Sequence, residues 1–247
     1  ADINLLYDNR VDAVLIGETL MRAKDRVQAL QQLKIHLKIC GLRRQEDVAY
    51  ANEVQPDFAG FVFAPSKRQV TREEAAELVE QLDLRIHTVG VFVDQPVDFI
   101  AELLAAGVIE YAQLHGSEDA AYIEALRKRT ALLGKTAKII KTVKVGSTAD
   151  LENISEIDCE YLLLDAWSKE GEAAGGNGRT FDWSLIKALE KPFFLAGGLT
   201  VDNVQQAVRM TSPYGIDASS CMETEDCKDL NKMKAFVQAV RVTETNN

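Results

Sequence analysis

Leu37-Lys38-Ile39-Cys40-Gly41-Leu42 alternates apolar and polar side chains and then meets a glycine. The alternation from Leu37 to Cys40 predicts a short strand, and Gly41 breaks it. A helical pattern follows over Glu46–Asn52. Cys40 therefore stands where a strand ends and a loop begins. In parallel α/β folds that edge carries the chemistry. A thiol there exchanges a proton when its surroundings favour the thiolate.

The same strand-then-helix unit recurs outward from this point. Further strands are predicted near Phe58–Phe63, His87–Phe92, Tyr111–Leu114, Ile139–Val143, Tyr161–Asp165, Phe193–Ala196 and Ile216–Ser219. Helical stretches separate them, near Arg72–Gln81, Asp98–Ala105, Asp119–Arg129, Ala149–Ile154, Trp183–Leu189 and Val201–Met210, and Asp229–Val240 closes the series. Thr71 with Glu74 makes a capping box, which fixes one helix start. Tyr161–Leu164 is apolar at successive positions, as expected of a strand covered on both faces. Eight strands, each followed by a helix, within about 200 residues give the count and length of a compact (β/α)8 TIM barrel. An open doubly wound sheet is the rival fold. Its nucleotide-binding members carry GxGxxG after the first strand, and Cys40-Gly41-Leu42-Arg43 stands there instead.

A net charge of -10 argues against a general nucleic-acid binder. No apolar run approaches the ~20 residues of a membrane span. The opening Ala1-Asp2-Ile3-Asn4 has no basic start before an apolar core, so no signal peptide is read there. An Ala rather than a Met at position 1 points to a fragment or processed product. The four cysteines form no CxxC pair, which argues against a zinc site and fits a reducing, cytoplasmic setting. Residues 36–242 are assigned to the barrel and 243–247 to a tail. Residues 1–35, with a strand at Ala13–Ile16 and a helix at Lys24–Leu33, cannot bury a core alone.

Strand ends supply the candidate site. Cys40 ends the first strand, and Arg68 follows the second. Gln113 and His115 end the fourth, Asp165 the sixth, Gly197-Gly198 the seventh, and Ser219-Ser220 the eighth. Singly, each has a plain structural reading: a core thiol, a loop cap, a solvated cation, a tight turn. Their coincidence at one end of successive strands favours a site. Glycines let backbone N–H groups close on an anion, and a helix start adds donors. Loops after strands seven and eight bind phosphate in many barrels. A phosphorylated small molecule is therefore the expected substrate, with Arg68 expected to pair a second anion such as a carboxylate. Cys40 and Asp165, on strands one and six, give a base and an acid across a sugar, the equipment of a proton-moving isomerase. The glycine-bearing loop Ala166 to Gly178 reads as a cover over the substrate.

These segments resemble the phosphoribosylanthranilate isomerase family of tryptophan biosynthesis. The matching stretches run from Lys38-Ile39-Cys40-Gly41 through Gly60-Phe61-Val62-Phe63, Ser66-Lys67-Arg68, Gln113-Leu114-His115-Gly116, Leu163-Leu164-Asp165 and Leu195-Ala196-Gly197-Gly198-Leu199 to Asp217 through Ser220. The resemblance implies a barrel enzyme without cofactor or metal that performs an Amadori rearrangement. It implies Asp165 as general acid on the furanose oxygen and Cys40 as general base at the sugar C2. Arg68 would meet the anthranilate carboxylate, with Gln113 and His115 as further substrate contacts. Gly197, Gly198, Ser219 and Ser220 would form the phosphate cradle. Cys221 departs from the small residue, often Gly, of many relatives, and Lys169-Glu170-Gly171-Glu172 looks like an acidic insertion. Val11 through Arg22 resembles the last strand and phosphate loop of indole-3-glycerol-phosphate synthase, so a fused synthase domain is the expected covalent partner in a longer protein. Three rivals remain. A metal-dependent sugar-phosphate epimerase predicts paired His and Asp ligands, which His36, His87 and His115 do not supply. A non-catalytic binding scaffold does not account for Cys40 with Asp165. A thiol-redox role lacks a resolving cysteine nearby in sequence.

Overall fold

Short apolar runs in this chain find their hydrogen-bond partners in one another. In the computed structural model, which describes residues 35–166, 180–186 and 189–242, eight parallel strands close into a barrel. They are β1 (His36–Cys40), β2 (Phe58–Val62), β3 (His87–Phe92), β4 (Tyr111–Leu114), β5 (Lys138–Val145), β6 (Tyr161–Ala166), β7 (Phe193–Leu195) and β8 (Gly215–Ala218). Each pairs with the next, and β8 returns to β1 with Lys38 opposite Asp217. The outer layer holds α1 (Gln45–Val54), α2 (Arg72–Val79), α3 (Val97–Ala106), α4 (Ala120–Leu132), α5 (Val204–Thr211) and α6 (Leu230–Val242). A small hairpin, β9 (Glu223–Thr224) with β10 (Cys227–Lys228), follows β8. Thr71 caps α2 as expected: its hydroxyl accepts the Glu74 N–H, and the Glu74 carboxylate accepts the Thr71 N–H.

Two predicted helices take another form. After β5, Ala149–Ile154 is replaced by two 3-10 turns, Thr148–Leu151 and Ile154–Glu156. The Asp150 carboxylate accepts the N–H groups of Gly146 and Ser147, so the segment satisfies its backbone locally. Asn153, at φ 57°, then breaks any continuation. After β6, Trp183–Leu185 is a single 3-10 turn that Ile186 leaves in an extended conformation. The helix after β7 begins at Val204 rather than Val201, because the Asn203 side chain accepts the Thr200 N–H and ties down the approach. The predicted covering loop beyond Ala166, the strand and helix within residues 1–34, and the tail 243–247 lie outside the described residues.

Core packing decides which end of the barrel is open. Between strands and helices runs one apolar layer, including Ile39, Phe61, Leu114, Leu164 and Phe236. Inside the barrel a second cluster of Phe58, Tyr111, Leu163 and Phe194 fills the half toward the strands' amino ends. Phe58 and Phe194 meet edge to face at 5.2 Å, and Tyr161 donates to or accepts from Tyr214 at 3.1 Å between hydroxyls. With that half plugged, the space left inside lies at the carboxyl ends. Among the described residues no helix is long and apolar enough to cross a membrane.

Candidate active site

A cavity of about 240 Å³ opens at the carboxyl ends of the strands. All nine site residues read from the sequence border it: Cys40, Arg68, Gln113, His115 and Asp165 around the wall, with Gly197, Gly198, Ser219 and Ser220 along one edge. Cys221 borders it as well. Burial pushes the Cys221 thiol up to about 11, which keeps it neutral.

On the β1 side, Cys40 sits two residues after Lys38, and alternation puts both on the same strand face. Lys38 is fully buried, and its Nζ donates to Asp217 Oδ1 at 2.9 Å across the β1–β8 pair. Burial disfavours the Lys38 ammonium, but Asp217 and then Cys40 outweigh it, so its pKa lies above the ordinary lysine value. Burial pushes the Cys40 thiol up, and Lys38 only partly opposes this. Cys40 is therefore a protonated thiol at neutral pH, with a cation nearby to stabilise the thiolate once formed. Gly60 lies opposite Cys40 in the β1–β2 register. A Cβ there would stand 3.0 Å from the Cys40 sulfur and 3.1 Å from its Cα, so the glycine makes room for the thiol.

Across the cavity, Asp165 on β6 faces Lys144 on β5 in register. Lys144 Nζ donates to Asp165 Oδ2 at 2.5 Å and to His115 Nε2 at 2.8 Å. His115 Nδ1 then carries the hydrogen and donates to Thr142 Oγ1 at 3.0 Å. Burial first, then Lys144, lowers the His115 pKa to about 3, so the ring is neutral over the working range. The Gln113 amide nitrogen lies 3.2 Å from the same ring nitrogen. Lys141 pins the loop beyond His115 through Gly116 O and Glu118 Oε2, each at 2.8 Å.

Arg68 spans the rim. Its Nε and Nη2 donate to the two Glu223 oxygens, each at 2.7 Å, so an internal carboxylate already takes one fork of the guanidinium. The Nη1 donors remain for a second anion. Lys228 Nζ reaches Glu223 Oε1 at 2.7 Å, and Lys67 pairs with Asp226, so the β9–β10 hairpin is tied to the loop after β2. Burial works against the Glu223 charge, yet Arg68 and Lys228 outweigh it and bring its pKa down to about 2. A depressed carboxylate contributes stability that is present above its unfolded value near 4.5 and is lost as pH falls toward 2. Glu223→Gln is therefore expected to flatten the acid side of the stability curve. Urea midpoints measured between pH 5 and pH 2 check this; an unchanged acid limb would show that the pair contributes nothing to folding.

The glycine pair forms a separate edge. Gly197 and Gly198 both have positive φ, 84° and 63°. A Cβ at Gly197 would lie 2.7 Å from Ala166 N and 2.8 Å from Asp165 Oδ1, so the seventh strand can end this close to Asp165 only with glycine. Ser219 Oγ donates to the Cys40 carbonyl at 2.8 Å and links the eighth strand end to the first. Lys38, Lys144, Asp217 and Glu223 were not among the candidates read from the sequence. For two of them the signal was present: Lys38 and Asp217 each place a charge within a short apolar run, Leu37–Cys40 and Ile216–Ala218. Among the described residues, no group of three or more His, Cys, Asp or Glu side chains is placed to hold a metal ion.

Comparison with known proteins agrees with this geometry. The family profile of N-(5'phosphoribosyl)anthranilate (PRA) isomerase matches residues 37–239. The N-(5'-phosphoribosyl)anthranilate isomerase of Acetivibrio thermocellus is 44% identical over 212 residues, covering 83% of this chain and 95% of that protein. Its counterpart in Thermoanaerobacter sp. (strain X514) is 41% identical over 209 residues, covering 84% and 98%. Among solved structures, phosphoribosyl anthranilate isomerase from Thermotoga maritima superposes with a TM-score of 0.74 at 31% identity, covering 83% of this chain and 98% of that one. A phosphoribosyl anthranilate isomerase in complex with reduced 1-(o-carboxyphenylamino)-1-deoxyribulose 5-phosphate gives 0.69 at 29%, with the same coverage. With the profile spanning all eight strands and these relatives matched nearly end to end, the chain belongs to the N-(5'-phosphoribosyl)anthranilate isomerase family.

Proposed function

We propose that the protein converts N-(5'-phosphoribosyl)anthranilate into 1-(2-carboxyphenylamino)-1-deoxyribulose 5-phosphate, using Asp165 as acid and Cys40 as base. The observation that carries this reading is the meeting of both groups at one cavity from strands β1 and β6. Asp165 gives a proton to the furanose oxygen as the anthranilate nitrogen pushes its lone pair toward C1, and the ring opens to a Schiff base. Cys40, as thiolate, takes the C2 proton. The resulting enolamine tautomerises to the ketone. Each transfer needs only a positioned acid or base.

Recognition follows the charges at the rim. The free Nη1 donors of Arg68 suit the anthranilate carboxylate. Backbone donors at Gly197 and Gly198, with Ser219 and Ser220, suit the phosphate. Gln113 and His115 hold the wall against the sugar. The related enzyme crystallised with a reduced product analogue supports a ligand of this class. Anthranilate–ribose adducts fluoresce, so mixing the protein with freshly made substrate should abolish the signal. A decay no faster than the spontaneous one overturns the assignment.

The likeness of Val11 through Arg22 to the end of indole-3-glycerol-phosphate synthase supports a second element of the proposal. Residues 1–35 are the terminal stub of such a domain, 36–242 the isomerase barrel and 243–247 its tail. The native polypeptide is then a bifunctional cytoplasmic synthase–isomerase. Reading the gene upstream of this segment tests it: a frame without synthase strands removes the fusion and leaves the isomerase untouched.

A further inference from the structure

Lys144 stands beside Asp165 in the β5–β6 register. Its Nζ is 2.5 Å from Oδ2, and 28% of its side chain remains in solvent. The same nitrogen donates to His115 Nε2 at 2.8 Å, which fixes its position. The other Asp165 oxygen, Oδ1, accepts the Ala166 N–H at 2.9 Å. In this contact the lysine ammonium donates and the Asp165 carboxylate accepts. A carboxylate so paired has no proton to give to a leaving oxygen. Lys144 has one, and an exposed flank where water can replace it.

We propose that Lys144 supplies, through Asp165, the proton that opens the sugar ring. This rests on the isomerase reading, in which Asp165 serves the furanose oxygen. One N–H bond of the ammonium breaks and an O–H bond forms on Asp165, leaving an amine and a neutral carboxylic acid. That acid passes its proton to the ring oxygen as the C1–O bond breaks. The bonding pair goes to oxygen, and the anthranilate nitrogen closes the C=N bond with its lone pair. Asp165 is again a carboxylate, and water returns a proton to Lys144.

The charged neighbours leave this task to Lys144. His115, after β4, is neutral and accepts from Lys144 rather than supplying a proton. Lys38, on β1, is committed to Asp217 on β8. Lys141, on β5, is committed to Glu118 and Gly116.

The test compares kcat and KM from pH 5 to pH 9 for the wild type, Lys144→Met, Lys144→Arg and Asp165→Asn. Lys144→Met is expected to lose about tenfold or more in kcat at pH 8. Its KM should stay within about twofold, because an interaction made in the transition state is lost. Relative to the wild type, the loss should shrink toward pH 5, where more abundant solvent acid delivers the proton in place of Lys144. Lys144→Arg keeps the charge and the donors but does not release a proton, so it should lose as much at pH 8. A loss equal at every pH, full rescue by Lys144→Arg, or a wild-type kcat in Lys144→Met at pH 8 each overturns the relay. Should Lys144→Met not fold, Lys144→Arg carries the comparison between pH 8 and pH 5. Asp165→Asn separates the two readings. Full activity in that variant removes the acid itself, whereas an inactive Asp165→Asn beside unaffected Lys144 variants removes the relay alone.

Discussion

Cys40→Ala and Asp165→Asn should each lower kcat by about 10² to 10⁴, the range of a positioned acid or base. The two side chains border one cavity from strands on opposite sides of the barrel, so neither can cover for the other. Steady-state kinetics should show the loss in kcat with KM little changed, because these groups act on atoms in transit. The pH profile carries more information than the endpoint. A base works when deprotonated, and burial pushes the Cys40 thiol above its ordinary value. The wild-type kcat/KM should therefore climb as pH rises from neutral into the alkaline range. Alkylation of Cys40 should follow the same rise and be slow at pH 7. A flat profile with fast alkylation at neutral pH would place a ready thiolate in the free enzyme, against the burial. Turnover near the wild type in both variants would remove the acid–base mechanism.

The barrel was legible because its signals are local. Period-two apolar runs, capping residues and glycines mark where strands end, and eight such units leave few topologies. That the nine candidates would gather at one end of the barrel was legible for the same reason, since most stand at or just past a strand end. The segment after β5 was not. Ala149–Ile154 has helical patterning, and Ser147 with Asp150 caps its start, but Asn153 takes a left-handed backbone at φ 57° and stops it after one turn. The ionic frame behind the site was also missed, because register rather than sequence creates it. Lys38 and Asp217 are 179 positions apart and become neighbours only when β8 closes on β1. Glu223 has no mark in the sequence that would aim it at Arg68. Its role follows from the hairpin that folds back over the rim.

That closure makes Lys38→Met the variant with the largest expected effect on folding. Lys38 has no exposed surface, and its partner Asp217 stands at the cavity with little exposure of its own. Removing one member of a buried pair leaves the other charged without a counterion, at a cost of about 3–5 kcal/mol. The intact pair contributes throughout the neutral range. Lys38 has a raised pKa, so its contribution is full below the ordinary lysine value and is lost only as pH rises through the folded value. In the variant the sign turns on Asp217, which burial already holds above the ordinary carboxylate value against the pull of Lys38 and which rises further without it. A carboxyl raised in the folded state is least costly below its unfolded pKa and grows costly as pH rises. Urea denaturation should therefore show the deficit at pH 8 and a smaller one near pH 4. The double variant Lys38→Met/Asp217→Leu should recover most of the loss, because no buried charge is then stranded. A deficit below about 1 kcal/mol at pH 8 would mean that Asp217 reaches water without its lysine. The Cys40 thiolate would then owe its stabilisation to Lys228, the other cation acting on it.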